Sequence, residues 1–453
     1  MNDLADLRAQ LLHARTALVR QLAAVEAELA DVEARYHKLT QYAPILRLPH
    51  ELLVLLFDYT RARWRPPPAF EVIASHVCSR WRDIAIGLPR FWSTIDLNLR
   101  VPTSADVHRL DAYLFRSDPL PLDIFIACHV LDPLLPPLLP HASRWRQLCI
   151  VSDSNIQPTM LRLSVPILEF LSFRINHIHD ASSHLYSNIP SLLPQILPST
   201  PSLSFLRLAG TALWTLQPSM INVRTLHLEG RRPMFMSIQQ FRTLMATLPS
   251  LVNLSLSHIS IDAPQQVDNG RNPTLTSLRR LRICDEDRQS GIILSLVDLP
   301  AVESLHLRNI EAFDPLPLPT IRSVAFDSCP FLPNELWDTT RAFPAVSSLT
   351  MDQSVEALYA LLGTSDGQIK WPELKTMTIY DLIPSNVQVF CDMVEVRQQV
   401  GKPLTCIRLN RRGRNVLKNK GRLQWLCDRV AVENHNAEEA WPPGLEFHDP
   451  DDP

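Results

Sequence analysis

Arginine and histidine side chains recur between the apolar residues of short repeated segments, and they are the clearest chemical signal in this sequence. Each segment reads apolar-x-x-apolar-x-apolar, and in a strand the intervening residues point away from the apolar ones. Arginine pairs well with carboxylates and phosphates, so the pattern predicts a face that binds an acidic or phosphorylated segment of a partner protein. The alternative is a solvated face on which arginine is an ordinary surface residue. The predicted partner-binding residues are Arg207, Arg224, His227, Arg279, Arg280, Arg282, His306, Arg308, Arg322 and Lys375, with Glu169 and Glu303 as the only acids at comparable positions.

A second basic cluster lies near the end of the chain, at Arg408, Arg411, Arg412, Arg414, Lys418, Lys420 and Arg422. One interpretation is a nuclear-localisation or anion-binding patch, and the other is a charged loop. Few aromatic residues are interleaved with these charges, which argues against nucleic-acid binding by base stacking.

No catalytic or metal-binding pattern stands out. The pair His177 and His179 has only Asp180 beside it, so it is read as structural rather than as a metal site. The 11 glycines never lie closer than four residues apart, which excludes the Rossmann and Walker fingerprints. With 15 histidines, chance triads with Ser and Asp are expected and give an enzymatic reading only weak support. The sequence therefore predicts a protein that is not an enzyme and uses no cofactor.

Composition indicates an ordinary soluble protein of two or more domains, since 453 residues are 46% hydrophobic and 20% charged. The net charge of -3 gives no general attraction to nucleic acid or membrane. The eight cysteines form no Cys-x-x-Cys pair, which favours free, mostly buried thiols in a reducing compartment. No apolar run is long enough to span a bilayer, and the amino terminus lacks the order of a signal peptide. We expect a cytoplasmic or nuclear location, or both.

The repeated segments predict the elements that carry the basic residues. Their spacings run from 19 to 35 residues, mostly in or near the period of leucine-rich repeats, and prolines fall mostly at their starts. Strands alternating with helix-like stretches such as 238–248 predict a solenoid with parallel strands. The segments begin at Trp145, Leu168, Leu203, Val223, Leu251, Leu278, Val302, Ile321, Val346, Leu374 and Leu404, with an additional early copy at 120–126.

Residues 4–39 predict one long helix, because apolar residues recur at alternating spacings of three and four with one skip between Leu18 and Leu22. The stretch has no Pro or Gly and is rich in good helix formers. It is either a short dimerising coiled coil or an amphipathic helix that lies on its own domain. Pro44 should end it.

Residues 46–92 predict two short apolar helices, whose apolar surface is too large for about 45 residues to bury alone. The opening is Leu48, Pro49, Glu51, Leu52 and Leu53, followed by the pair Leu56 and Phe57, and the closing run is Val77, Cys78, Trp81, Arg82, Ile84 and Ala85. This ordered set resembles an F-box. With the leading helix and the repeats, the chain is similar to the F-box leucine-rich-repeat proteins abundant in mushroom-forming (basidiomycete-type) fungi.

The resemblance implies a substrate-receptor subunit of a cullin-type (SCF) ubiquitin ligase, which binds the Skp adaptor through the F-box and a protein client through the repeats. The resemblance implies that seven residues make apolar contacts with the adaptor: Leu48, Pro49, Leu52, Leu56, Phe57, Val77 and Trp81. Trp81 is read equally well as a residue that packs the two helices together. Glu51 is expected to support the first helix near its amino end.

Two departures from the family pattern favour a rival interpretation. Thr60 stands where the family carries an apolar residue, and Pro66, Pro67 and Pro68 lengthen the connection between the helices. The rival is a non-catalytic repeat scaffold that dimerises through 4–39 without engaging a ligase. The expected fold is α/β: a helix or coiled coil over 1–43, an F-box-like module over 44–97, a degenerate repeat solenoid over 98–440 and an acidic flexible tail over 441–453.

Overall fold

A computed structural model shows two compact units, residues 1–92 and residues 93–453. The structure describes residues 2–42, 45, 48–63, 69–153, 163–175, 200–210, 219–262, 272–284, 290–310, 315–329, 333–351, 369–435 and 441–442.

The described part of the first unit is helical. Its helices are α1 Asn2–Tyr42, α2 His50–Arg63, α3 Phe70–Val77, α4 Ser79–Ile86 and α5 Pro89–Trp92. The long amino-terminal helix is confirmed, and it ends two residues before Pro44, whose ring disfavours helical backbone in the residue before it.

The structure divides the second apolar helix that the sequence predicts for the module. The division lies at Cys78, whose backbone is extended and separates α3 from α4. The first strand of the chain, over 94–98, begins two residues after α5, to which Phe91 and Trp92 belong. The Trp92 indole donates a 2.7 Å hydrogen bond to the Ala85 carbonyl, which holds that residue in the helical unit.

The second unit contains a parallel sheet of 14 strands among the described residues, and each strand pairs with the strands before and after it in sequence. The strands are β1 Thr94–Asn98, β2 Leu122–Cys128, β3 Trp145–Ser152, β4 Phe170–Ile175, β5 Phe205–Gly210, β6 Thr225–Ser237, β7 Asn253–Asp262, β8 Arg280–Cys284, β9 Ser304–Arg308, β10 Ser323–Asp327, β11 Ser348–Met351, β12 Thr376–Ile379, β13 Cys406–Leu409 and β14 Ala431–Asn434. All eleven predicted segments form strands, β3 to β13, and the early copy at 120–126 forms β2. The α/β fold class is therefore confirmed.

The core of this unit consists of two apolar ladders that run across the sheet. In the first, Leu226, Leu254 and Leu281 stand in register on β6, β7 and β8, and each is 2% exposed or less. The second runs two residues further along the strands, through Leu228, Leu256 and Ile283. Because neighbouring strands lie about 4.8 Å apart, each apolar side chain packs directly against its counterparts on both sides.

Proline occupies the turn that precedes many of the strands. The Leu203 amide donates to the Thr200 carbonyl, and Pro201 occupies the second position of that turn, where its fixed φ is favourable. The same hydrogen bond precedes the strands that begin after Leu168, Leu251, Ile321 and Leu374, each with proline two residues earlier. The high proline content therefore fixes the entry into the strands.

Helices occupy several connections between strands. They are α6 Ser104–Arg116, α7 Leu135–Leu138, α8 Ile238–Ala246, α9 Ser290–Ser295, α10 Pro333–Ala342, α11 Val387–Gln399, α12 Arg411–Asn419 and α13 Leu423–Cys427, with a 3₁₀ helix at Leu139–Arg144. The helix predicted over 238–248 is confirmed as α8, whose start is fixed by reciprocal hydrogen bonds between Ser237 and Gln240. None of the helices in the described ranges has both the length and the apolar composition needed to cross a bilayer.

We expect Leu254→Ala to lower the free energy of unfolding of the second unit by about 2–5 kcal/mol, because it leaves a cavity in the middle of the first ladder. The matched control is Ile221→Ala, which removes similar atoms from a side chain that is 59% exposed. Thermal unfolding followed by circular dichroism compares the two. Equal midpoints for both variants would show that the ladder is not the main source of stability.

Candidate functional site

The first candidate surface is the apolar stripe of α2, formed by Leu52, Leu55, Leu56 and Tyr59. These residues stand at i, i+3, i+4 and i+7, which places them on one helix face. They are 48%, 62%, 38% and 58% exposed. Amphipathic helices of this length normally bury such a face, and an exposed apolar stripe is the usual mark of an interaction surface.

The opposite face of α2 is held by an aromatic core. Phe57 has no exposed surface, and its ring lies edge-on to Phe70 at 5.5 Å and to Trp81 at 4.7 Å between centroids. Phe91 lies 6.2 Å away on a third side. Edge-to-face packing favours one geometry over others, so α2 is fixed in rotation and the stripe is presented outward.

Polar contacts fix the ends of α2. Arg80 donates a 2.5 Å hydrogen bond to the Leu48 carbonyl just before the helix, and Arg90 forms an ion pair with Asp58 near its other end. The hydroxyl of Thr60 donates to the Leu56 carbonyl at 2.8 Å, which satisfies it within the helix. The polar residue at position 60 therefore does not disturb α2.

The predicted adaptor residues divide between surface and core. Leu52, Leu56, Val77 and Pro49 are exposed, and Leu48 is half-buried. Phe57 does not fit the predicted role of direct contact, because no surface of it remains for a partner. Trp81 is half-buried against Phe57, which fits its helix-packing interpretation.

Sequence reasoning missed two residues of the stripe, Leu55 and Tyr59, although their spacing from Leu52 is helical. Glu51 lies in the first turn of α2, as expected. Pro66, Pro67 and Pro68 lie outside the described residues.

The second candidate surface is the polar face of the sheet, defined as the strand residues that point away from the two apolar ladders. Its central row is set by the register of neighbouring strands. The row runs through Ser172, Arg207, His227, Ser255, Arg282, His306, Ala325, Thr350, Thr378 and Arg408.

The predicted basic stripe divides into two groups of different exposure. The first group lies on the polar face and is buried or half-buried; it comprises Arg207, His227, Arg280, Arg282, His306 and Arg308. The second group lies one residue before the strands and is exposed; it comprises Arg224, Arg279, Arg322 and Lys375. Backbone hydrogen bonds join this outer row from repeat to repeat, as from the Arg322 amide to the Glu303 carbonyl.

Acidic residues compensate part of the stripe. Arg207, which is 1% exposed, pairs with Glu229 at 2.7 Å, and Arg308 pairs with Asp327 at 3.2 Å. The expectation that Glu169 and Glu303 are the only comparable acids is therefore wrong, because strand register places Glu229 and Asp327 on the same face. In the outer row, Arg279 pairs with Glu303 at 3.2 Å.

Aromatic rings cover the part of the polar face around β4 to β8. Phe170 and Phe205 stack at 4.2 Å with nearly parallel planes, and the His227 ring lies 5.1 Å from Phe205. Trp441, at the start of the acidic terminal segment, packs against the other side of His227 with centroids 5.4 Å apart. The contact of Trp441 does not follow from the repeat pattern, because it joins residues far apart in sequence.

His227 is held neutral inside this cluster. Burial is the main cause that takes its pKa well below 6.5, and the charges of Arg282 and Arg207 act in the same direction. Both ring nitrogens are buried and have no hydrogen-bond partner among the residues that the structure describes.

Four of the seven residues in the second basic cluster lie on one helix, and two of the seven form ion pairs. Arg411 to Lys418 lie in α12, Arg408 on β13 pairs with Glu433 at 2.9 Å, and Arg412 pairs with Asp381 at 3.1 Å. The charged-loop interpretation is therefore wrong for the helical part.

Within the described ranges, no group of three or more His, Cys, Asp or Glu side chains is placed to hold a metal ion. His177, His179 and Asp180 lie outside those ranges. The eight cysteines are free, but only Cys128, Cys284, Cys329 and Cys391 are buried.

No model of a protein family matches this chain, and no curated protein matches it.

We expect His306→Gln to make the protein less sensitive to acid. Burial, with Arg282 and Arg308 nearby, lowers the pKa of His306 from 6.5 to about 4, and Asp327 only partly opposes this. Between these values the unfolded chain takes up a proton that the folded chain does not, so stability falls as the pH drops from 6.5 towards 4. His306→Gln removes this loss of stability, because glutamine takes up no proton in this pH range.

The measurement is the thermal midpoint at about pH 7.5 and about pH 5, where the drop should be smaller for the variant by roughly 2 °C or more. His108→Gln, at an exposed histidine of the same unit, is the control. A wild-type drop no larger than that of His306→Gln would contradict the prediction.

Proposed function

We propose that this chain is the substrate-receptor subunit of a cullin-type (SCF) ubiquitin ligase. The α2 surface of an F-box-like module docks to the Skp adaptor, and the strand array is a degenerate leucine-rich-repeat solenoid that holds a protein client. The supporting observation is the outward apolar stripe on α2, which coincides with the part of the sequence that resembles an F-box.

The energetics favour a docking role for this stripe. Burying a large apolar side chain contributes about 1.5–3 kcal/mol, and four such side chains lie together on α2. A helix that inserts one apolar face into a partner groove is a common recognition mode. The aromatic core behind α2 keeps the stripe ordered before binding, which reduces the entropy lost on association.

The sheet supports the second half of the proposal. Eleven strands recur at spacings of 19 to 35 residues, in parallel and in sequence order, as the repeats of a solenoid do. Such arrays present a long, continuous surface to a partner protein. In this proposal the chain catalyses no bond change and acts by proximity, holding client lysines near a ubiquitin-loaded enzyme in the cytoplasm or nucleus.

We expect the double variant Leu52→Asp, Leu55→Asp to weaken binding to purified Skp adaptor by at least about 100-fold, because two charges would enter an apolar contact. Both side chains are about half exposed or more, so the fold should survive. Biolayer interferometry with immobilised adaptor measures the effect.

Ile86→Asp is the matched control, since Ile86 is an exposed apolar residue of the same unit on α4. It should bind like wild type. If wild type does not bind, or if the α2 variant binds as tightly as the control, the ligase proposal fails.

A scaffold that dimerises through 4–39 is the second candidate, and the exposure of α1 favours it. Leu18, Leu22, Val25, Leu29 and Val32 are all 58–64% exposed along a helix of 41 residues. Such a stripe is the seam of a two-stranded coiled coil when a second copy covers it.

We expect Leu22→Lys, Leu29→Lys to convert a dimer into a monomer, because both lysines would lie in the apolar seam. Size-exclusion chromatography with light scattering gives the mass. The control Ala24→Lys, Ala27→Lys places equal charge on the opposite face of α1 and should stay dimeric. A monomeric wild type at micromolar concentration would exclude the scaffold interpretation.

A further inference from the structure

Trp441 follows the last strand in sequence, yet it packs in the middle of the polar face. Its indole ring lies edge-on to the His227 ring on β6 at 5.4 Å. The guanidinium of Arg282 on β8 lies over the same ring at 4.9 Å from its centroid. Pro442, the next residue, is buried.

The floor under Trp441 is built from buried polar groups. His227, Ser255 and Arg282 stand in register on three adjacent strands. They are 1%, 0% and 6% exposed, and Arg282 donates a 2.8 Å hydrogen bond to the Ser255 hydroxyl. Arg207 continues the row on β5 and is fixed by Glu229.

This arrangement selects for an aromatic residue. A guanidinium over an indole face is an attractive cation–π contact that strengthens when water is excluded. The neutral His227 ring offers an edge-to-face partner without adding a third charge beside Arg207 and Arg282. The floor supplies shape and ring chemistry at the position of the indole.

The surroundings of the floor select for acidic neighbours of that aromatic residue. Arg280 lies on β8 and Arg308 on β9, and Arg279 and Arg322 of the exposed outer row lie one residue before β8 and β10. Of these four, Arg308 is paired with Asp327 and Arg279 with Glu303. The sequence 436–453 carries six Asp or Glu residues and no Lys or Arg. The charge of the tail sequence therefore complements that of the strand region on which Trp441 sits.

We propose that Trp441 is an internal ligand of the client-binding site, and that the client is a protein segment with Trp followed by Pro in an acidic context. This inference rests on the proposed receptor function and names its client class. An attached segment acts at high effective concentration, so a client must compete with the chain's own tail.

The test uses a fluorescent peptide with the sequence 436–453 and the full-length protein. We expect Trp441→Ala protein to bind the peptide, and wild type to bind it at least 10-fold more weakly because its own Trp441 holds the site. Adding Arg282→Gln to Trp441→Ala should weaken binding of the peptide several-fold, because the cation–π contact is lost. The same peptide with alanine at position 441 should not bind. Trp441→Leu serves as a second variant if Trp441→Ala misfolds.

Two further peptides test the client class. One scrambles 436–453 but keeps Trp-Pro among the acidic residues, and the other separates Trp from Pro at the same composition. We expect only the first to bind Trp441→Ala. If only the native peptide binds, the proposed client class is wrong. If the native peptide binds wild type and Trp441→Ala equally well, Trp441 is not an internal ligand. Adaptor binding by Trp441→Ala protein is measured in parallel, so that a failure of the receptor proposal is recognised separately.

Discussion

The hydrogen-bonded stacking of one strand on the next is the constraint on which the second unit depends. A single segment such as Leu251-x-x-Leu254-x-Leu256 has apolar side chains on one face only, and four to six residues cannot bury them alone. Placed in register with its neighbours, each segment continues two apolar ladders and satisfies the backbone groups of both adjacent strands. The polar face is a by-product of this arrangement, because every residue between two ladder positions must point the other way.

Side-chain direction within each element likewise decides which residues are available for function. On α2, Leu53 and Phe57 are buried in the core, and the exposed apolar residues are Leu52, Leu55, Leu56 and Tyr59. On the sheet, Arg207 is buried beside Glu229 and Arg282 lies over the Trp441 ring. Arg224 and Arg322 lie one residue before their strands and are exposed. On a strand, a shift of one residue would exchange the buried and the polar face.

The repeat pattern predicted the strands because it is local: an apolar residue, two others, an apolar residue, one other, and a third apolar residue. It failed at β14, Ala431–Asn434, where none of the four residues is buried and nothing in the sequence marks a strand. That strand exists because β13 offers it a partner.

Two side-chain contacts were beyond sequence reasoning for another reason: the pairing of Arg207 with Glu229 and the packing of Trp441 on His227. The first depends on the exact register and side-chain direction of two strands, and the second joins residues far apart in sequence, so the repeat pattern encodes neither. Phe57 was misassigned because an apolar pair, Leu56 and Phe57, does not itself tell which member faces inward.

The exposed strand β14 also bears on self-association. An open parallel sheet has terminal strands whose outer amide and carbonyl groups invite another chain to extend it, which is a route to aggregation. Here the last described strand is four residues long and carries Glu433 and Asn434, with Glu433 bound to Arg408 of β13. A short, charged, non-hydrophobic edge is a poor template for a further strand. Among the described strands, β14 is therefore an edge that resists the addition of a strand from another chain.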